Sequence, residues 1–131
     1  MNKNDIILES LNQYLKETFR FKSNVATFGL DNRMIDVRTK PINLYLRLMD
    51  LEGFWFASTI VIACLSFQEK RVGHGTDFLR FISKIAKEHR YKYIGLECTN
   101  EKSTTFGLKY GFRKHRGEKN HYIISVEDLT L

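Results

Sequence analysis

The chain has 131 residues and a formal net charge of +6, with 43% hydrophobic and 27% charged residues and one proline. That length holds one ordinary sheet-and-helix core rather than two, so a single domain over residues 1–131 is expected, and the composition excludes a disordered chain. The positive balance suits a polyanionic partner and equally a cofactor that carries several phosphates.

Ile7, Leu11, Leu15 and Phe19 recur at helical spacing and predict an amphipathic helix over Asp5–Phe19, with Asn4 or Asp5 as its cap. Asp5, Glu9, Lys16 and Glu17 interrupt every apolar run in this region, so no export signal is read there. Val25–Leu30 and Met34–Arg38 are short β-prone runs around the turn-tolerant Asp31 and Asn32, and they read as a hairpin. After Pro41, Leu44, Leu46 and Leu48 alternate with Tyr45, Arg47 and Met49, the period of a half-buried strand. Phe54–Phe67 runs almost without charge and predicts a central strand covered on both faces, with Phe54, Trp55 and Phe56 as core and cleft wall rather than a base-stacking platform. The segment is too short to cross a bilayer, which takes roughly 20 residues, so no membrane partner is expected.

QEKRVGHGT follows, and then a helix whose apolar face is Phe78, Leu79, Ile82, Ile85 and Ala86. Tyr93–Thr99 reads as a strand parallel to the central one, because a crossover helix of this length joins them. Ser103–Lys109 predicts a short helix ended by Gly111, and Phe112–Arg116 and His121–Val126 flank a GEKN turn as a closing hairpin. The basic stretch Arg113, Lys114, His115, Arg116 and Lys119 lies on that hairpin and is expected to be exposed, either as a solvated surface or as a contact for a polyanion. Cys64 and Cys98 fall in apolar strand-like segments without metal or redox spacing, so reduced thiols in a cytoplasmic protein are expected, and no metal site.

The loop before the central helix is the main chemical signal. Between a buried strand and a helix, backbone amides point outward unpaired and the helix dipole adds partial positive charge. Gly73 and Gly75 let the main chain approach an anion, Thr76 offers a hydroxyl, and Lys70 and Arg71 supply charge. A pyrophosphate on the amides of Arg71, Val72, Gly73, His74, Gly75 and Thr76 is the functional reading, and loop geometry alone is the plain one. His74 either meets a phosphate or only fills the loop.

Two motifs carry a family resemblance. KRVGHG resembles the signature that opens the central helix of the GNAT acyltransferases, with Lys70 in place of the usual Gln or Arg. NEKSTTFGLKYGF resembles the second signature of that family, and Asn100, Ser103, Phe106, Gly111 and Phe112 match in register. The resemblance covers Phe67–Val126 and extends more weakly back to Val25. It implies a mixed, mostly antiparallel sheet with flanking helices, in which one parallel strand pair splays apart. It also implies acetyl-CoA as cosubstrate, an unidentified amine acceptor, and direct attack of the amine on the thioester. By the same resemblance the pyrophosphate loop, Ser103, Phe106 and Asn100 hold the cofactor, and backbone near Leu65 and Phe67 stabilises the oxyanion. Glu97 is then the candidate base, its alternative being an outward strand residue paired with a lysine. The family's usual tyrosine acid falls on Gly107, which leaves Cys98 and Tyr110 as the nearest candidates and a non-catalytic binding protein as the alternative function.

Overall fold

The computed structural model describes residues 2–70, 72–97, 101–117 and 119–131. The chain opens with helix α1 (Lys3–Phe19), capped by Asn2, whose side chain accepts from the Asp5 amide, two or three residues earlier than the sequence suggests. Its core face is Ile7, Leu11 and Leu15. Asn12 stands on that face as well: Oδ1 accepts from the Val25 and Ala26 amides and Nδ2 donates to the Ala26 carbonyl. One buried amide therefore satisfies the edge of strand β1 (Ala26–Phe28) and fixes it to the helix.

Strands β2 (Met34–Arg38), β3 (Ile42–Met49) and β4 (Thr59–Phe67) follow as an antiparallel meander. Helix α2 (His74–Glu88) crosses over to β5 (Tyr93–Glu97), which pairs parallel to β4 as its crossover predicts. Helix α3 (Glu101–Lys109), β6 (Arg113–Lys114) and β7 (His121–Ser125) complete a seven-stranded sheet of order β1-β2-β3-β4-β5-β7-β6, in which β4–β5 is the parallel pair. No described helix is long and apolar enough to cross a membrane.

The helices lie on one face of the sheet. Ile35, Val37, Leu44, Leu46, Ile94 and Leu96 point into a core shared with Leu11, Leu15, Phe78 and Ile82 of α1 and α2, and α3 meets the same face where Gly107 approaches Leu96. Two expectations are corrected here. The central strand begins at Thr59 rather than Phe54, because Phe54–Ser58 bends across the outer face of the sheet. Trp55, 3% exposed, lies on Gly95, where an added β-carbon would come within 2.6 Å of its ring. The aromatic run is apolar because it covers β5 from outside, not because it is strand. Burial on both faces accordingly holds for Thr59–Ile62, whereas Ala63–Phe67 alternate and Cys64 is exposed.

The second correction concerns the basic hairpin. Arg113, Lys114 and Lys119 are exposed, but His115 is 1% exposed, its ring stacked on Trp55 at 4.5 Å between centroids and its Nε2 on the Phe54 carbonyl. Arg116 donates to the carbonyls of Phe54 and Gly53. These two residues hold the Phe54–Ser58 segment, which gives the sequence run no apolar alternation yet makes part of it structural.

Candidate functional site

Among the described residues the parallel pairing of β4 with β5 runs from Thr59↔Tyr93 to Ile62↔Leu96, whereas β4 continues to Phe67. The β3–β4 register shifts at the same place: Tyr45 pairs with Cys64 and Leu46 with Ile62, leaving Ala63 as the extra residue of a bulge. A bulge bends its strand and increases twist, so the outer half of β4 leaves β5. The Gln68 amide donates to the Pro41 carbonyl, which makes that a hydrogen-bonded antiparallel pair and, by alternation, places Ser66 and Cys64 in such pairs too. The amides and carbonyls of Leu65 and Phe67 therefore face the gap. The gap is a cleft of about 640 Å³ whose walls include Leu65, Phe67, Phe78, Leu96, Ser103 and Phe106.

At one end the cleft meets the first turn of α2, where Lys70, Gly73, His74, Gly75, Thr76 and Lys102 share a recess. Gly73 is the N-cap at φ 84° and supplies no side-chain cap, and no described side chain is seen to bond the amides that open the helix. A left-handed φ at that position favours glycine. His74 packs between Phe19 and Phe67, at 5.0 and 5.3 Å between ring centroids, and Phe106 lies over Gly75 at 3.4 Å from where a β-carbon would stand. Val72 is exposed. Thr76 Oγ1 is 2.8 Å from the Tyr110 hydroxyl, so the phenol sits at the helix N-terminus and ties α3 to α2. Tyr14 donates to Asp77 at 2.6 Å, and burial, then that carboxylate, raises its pKa well above the usual phenol range. Arg71, Cys98 and Asn100 lie outside the described residues.

Glu97 ends β5 where the strands part. Its Oε2 accepts from Arg47 Nη1 and from the Trp55 indole nitrogen, both at 3.2 Å. The partner is thus an arginine from β3 rather than a lysine, and Trp55 has a polar role that its apolar surroundings in the sequence hid. The alternation of β3 carried the signal for Arg47, which belongs to the face opposite Leu46 and Leu48. Gly107 is buried in α3, and a β-carbon there would stand 2.9 Å from Leu96 Cδ1. Its missing side chain makes room for β5. Among the described residues, no three or more His, Cys, Asp or Glu side chains gather as metal ligands.

No protein-family model and no curated protein matches the chain. Solved structures do. Tetrahymena GCN5 superposes with a TM-score of 0.56 at 11% identity, over 99% of this chain and 92% of that one. A GNAT-family acetyltransferase from Staphylococcus aureus Mu50 gives 0.53 at 13% identity, over 94% and 92%. The Y144F mutant of the AtaT toxin, bound to acetyl-CoA and the C-terminus of the antitoxin AtaR, gives 0.55 at 16% identity, over 72% of this chain and 66% of that one. At such identities the likeness is one of fold, and the fold is that of the GNAT acetyltransferases.

Proposed function

We propose that this GNAT-fold chain is an N-acyltransferase that moves an acetyl or similar small acyl group from acetyl-CoA to an amine. The observation that carries this reading is a pair of adjoining cavities, one at the uncapped first turn of α2 and one in the gap between β4 and β5, which share Leu65, Phe67, Lys70, Gly75, Ser103 and Phe106 as walls. The pyrophosphate lies on the amides before and within the first turn of α2, with Lys70 and Lys102 beside it and the Thr76 and Tyr110 hydroxyls close by. The pantetheine arm lies in the gap and pairs with the free backbone of Leu65 and Phe67, next to Ser103 and Phe106. The acetyl-CoA complex of a toxin of the same fold supports this assignment.

In the reaction the amine nitrogen attacks the thioester carbonyl, a C–N bond forms and the C–S bond breaks. Backbone amides of the gap stabilise the oxyanion, and Glu97, positioned by Arg47 and Trp55, takes the proton that the nitrogen loses, directly or through one water. The departing thiolate takes a proton from water or from Cys98. Tyr110 is committed to the α2 terminus and serves the cofactor instead.

Gly107 favours a second reading, a CoA-binding protein without turnover, since no phenol stands at that position. Calorimetry with acetyl-CoA together with a transfer assay over an amine panel separates the two. Micromolar binding with transfer to an amine supports the enzyme; binding with no transfer to any acceptor supports the second reading, and no binding rejects both.

A further inference from the structure

With all three helices on one face, the other face of β2, β3 and β4 carries a groove of about 540 Å³. Asp36, Tyr45 and Cys64 stand directly opposite one another across three strands, and Arg38, Asn43 and Ser66 form the next row. Ala63, Cys64, Ser66 and Glu97 line both this groove and the cleft between the strands, so the two volumes meet at the bulge. An acceptor held in the groove therefore reaches the proposed thioester through the sheet from the side opposite α2.

The groove's charges are two carboxylates, Asp36 and Glu97, and two guanidiniums, Arg38 and Arg47. Their sum is zero in a chain of net charge +6, which favours neither a polycation nor a polyanion. The signs are arranged in two pairs. Glu97 and Arg47 pair at 3.2 Å beside the cleft, and Arg47 Nε is buried there with no partner among the described residues. Asp36 and Arg38 lie on one strand two residues apart, facing the same way, with 3.9 Å between their charged groups; Arg38 is 83% exposed and Asp36 22%. A carboxylate and a guanidinium so placed match the ammonium and carboxylate of an α-amino acid. From β2 to β5, which carries Glu97, is three strand spacings, about 14 Å. The six bonds from the α-nitrogen of lysine to its side-chain nitrogen, with a hydrogen bond at each end, span about 13 Å.

We propose that the acceptor is a free basic α-amino acid of the length of lysine. Asp36 holds its α-ammonium, Arg38 holds its α-carboxylate, and the side-chain amine beside Glu97 receives the acyl group. The inference rests on the acyltransferase reading for the transfer step, but not for binding in the groove.

The test is calorimetry of L-lysine, cadaverine and spermidine against the protein with and without acetyl-CoA, followed by the same titrations of Asp36→Asn and Arg38→Gln. Both substitutions are on the open face and leave the cofactor cleft untouched. Lysine is expected to bind at least about tenfold more tightly than cadaverine, the size of one lost charge-assisted bond; Arg38→Gln is expected to lose about tenfold for lysine alone, and Asp36→Asn to weaken lysine and cadaverine alike. Transfer to the ε-amine, located by mass spectrometry, follows the same order. Equal affinity for lysine and cadaverine, preference for spermidine, or unchanged lysine affinity in Arg38→Gln overturns the proposal. Failure of acetyl-CoA to bind overturns the transferase reading instead, and lysine binding to the cofactor-free protein still decides the groove.

Discussion

At the scale of single residues, the proposed chemistry is tested at Glu97 and Gly107. Glu97→Gln keeps the shape and an acceptor oxygen for Trp55 and Arg47 but removes the proton acceptor. Acyl transfer is expected to fall by about 10²–10⁴ with acetyl-CoA affinity unchanged, and a pH–rate profile should lose its acidic limb. A rate within threefold of wild type would exclude Glu97 as the base. At Gly107 the contact with Leu96 Cδ1 sets the expectation. Alanine requires only the end of a flexible side chain to move and gains helix propensity of roughly 0.5–1 kcal/mol, so its melting temperature is expected to stay close to wild type. Tyrosine must displace Leu96, an overpacking that costs about 1–3 kcal/mol, and Gly107→Tyr is expected to melt several degrees lower, by scanning calorimetry. The phenol that the family usually has here therefore needs a different β5 beneath it.

At the scale of elements, the N-terminus of α2 and the Phe54–Ser58 segment are the parts that a variant can address separately. Gly75 has an ordinary helical φ, so Gly75→Val places a side chain under Phe106 without backbone strain. Acetyl-CoA affinity is expected to drop at least about tenfold while the protein stays folded, since a β-branched side chain now stands between the helix amides and the pyrophosphate. Unchanged affinity in a folded variant would remove the pyrophosphate from this turn. Gly95→Ala is expected to act differently: its β-carbon would enter the Trp55 ring, displacing the segment that carries the indole to Glu97. Both the melting temperature and transfer should fall, whereas Trp55→Phe should stay folded, lose the bond to Glu97 and cost on the order of 1 kcal/mol or more for the buried ring it removes. The closing hairpin divides in the same way. Charge reversal of Arg113 and Lys114 is expected to leave melting nearly unchanged, and reversal of Arg116 to lower it, because Arg116, unlike those two, holds the carbonyls of Gly53 and Phe54. If the hairpin also binds a polyanion, that affinity will fall steeply with added salt.

At the scale of the whole molecule, the sequence determined what local pattern can determine. The spacing of Ile7, Leu11 and Leu15, the alternation of Leu44, Leu46 and Leu48, and the order of strand, glycine loop and helix gave the elements and the parallel crossover, since helix and strand periods are properties of neighbouring residues. The recess at α2 was legible for the same reason: its amides are freed by the helix itself. What only the tertiary structure decided depends on residues far apart in the chain. Phe54–Ser58 reads as strand by composition, yet Trp55 is buried against Gly95 and His115, forty and sixty positions away, while Phe54 is 44% exposed, so the strand starts at Thr59. The partners of Glu97 come from β3 and that same segment, and no local pattern connects them. The bulge at Ala63 exists only in the register between two strands, and it is the bulge that parts β4 from β5 and opens the sheet to both faces.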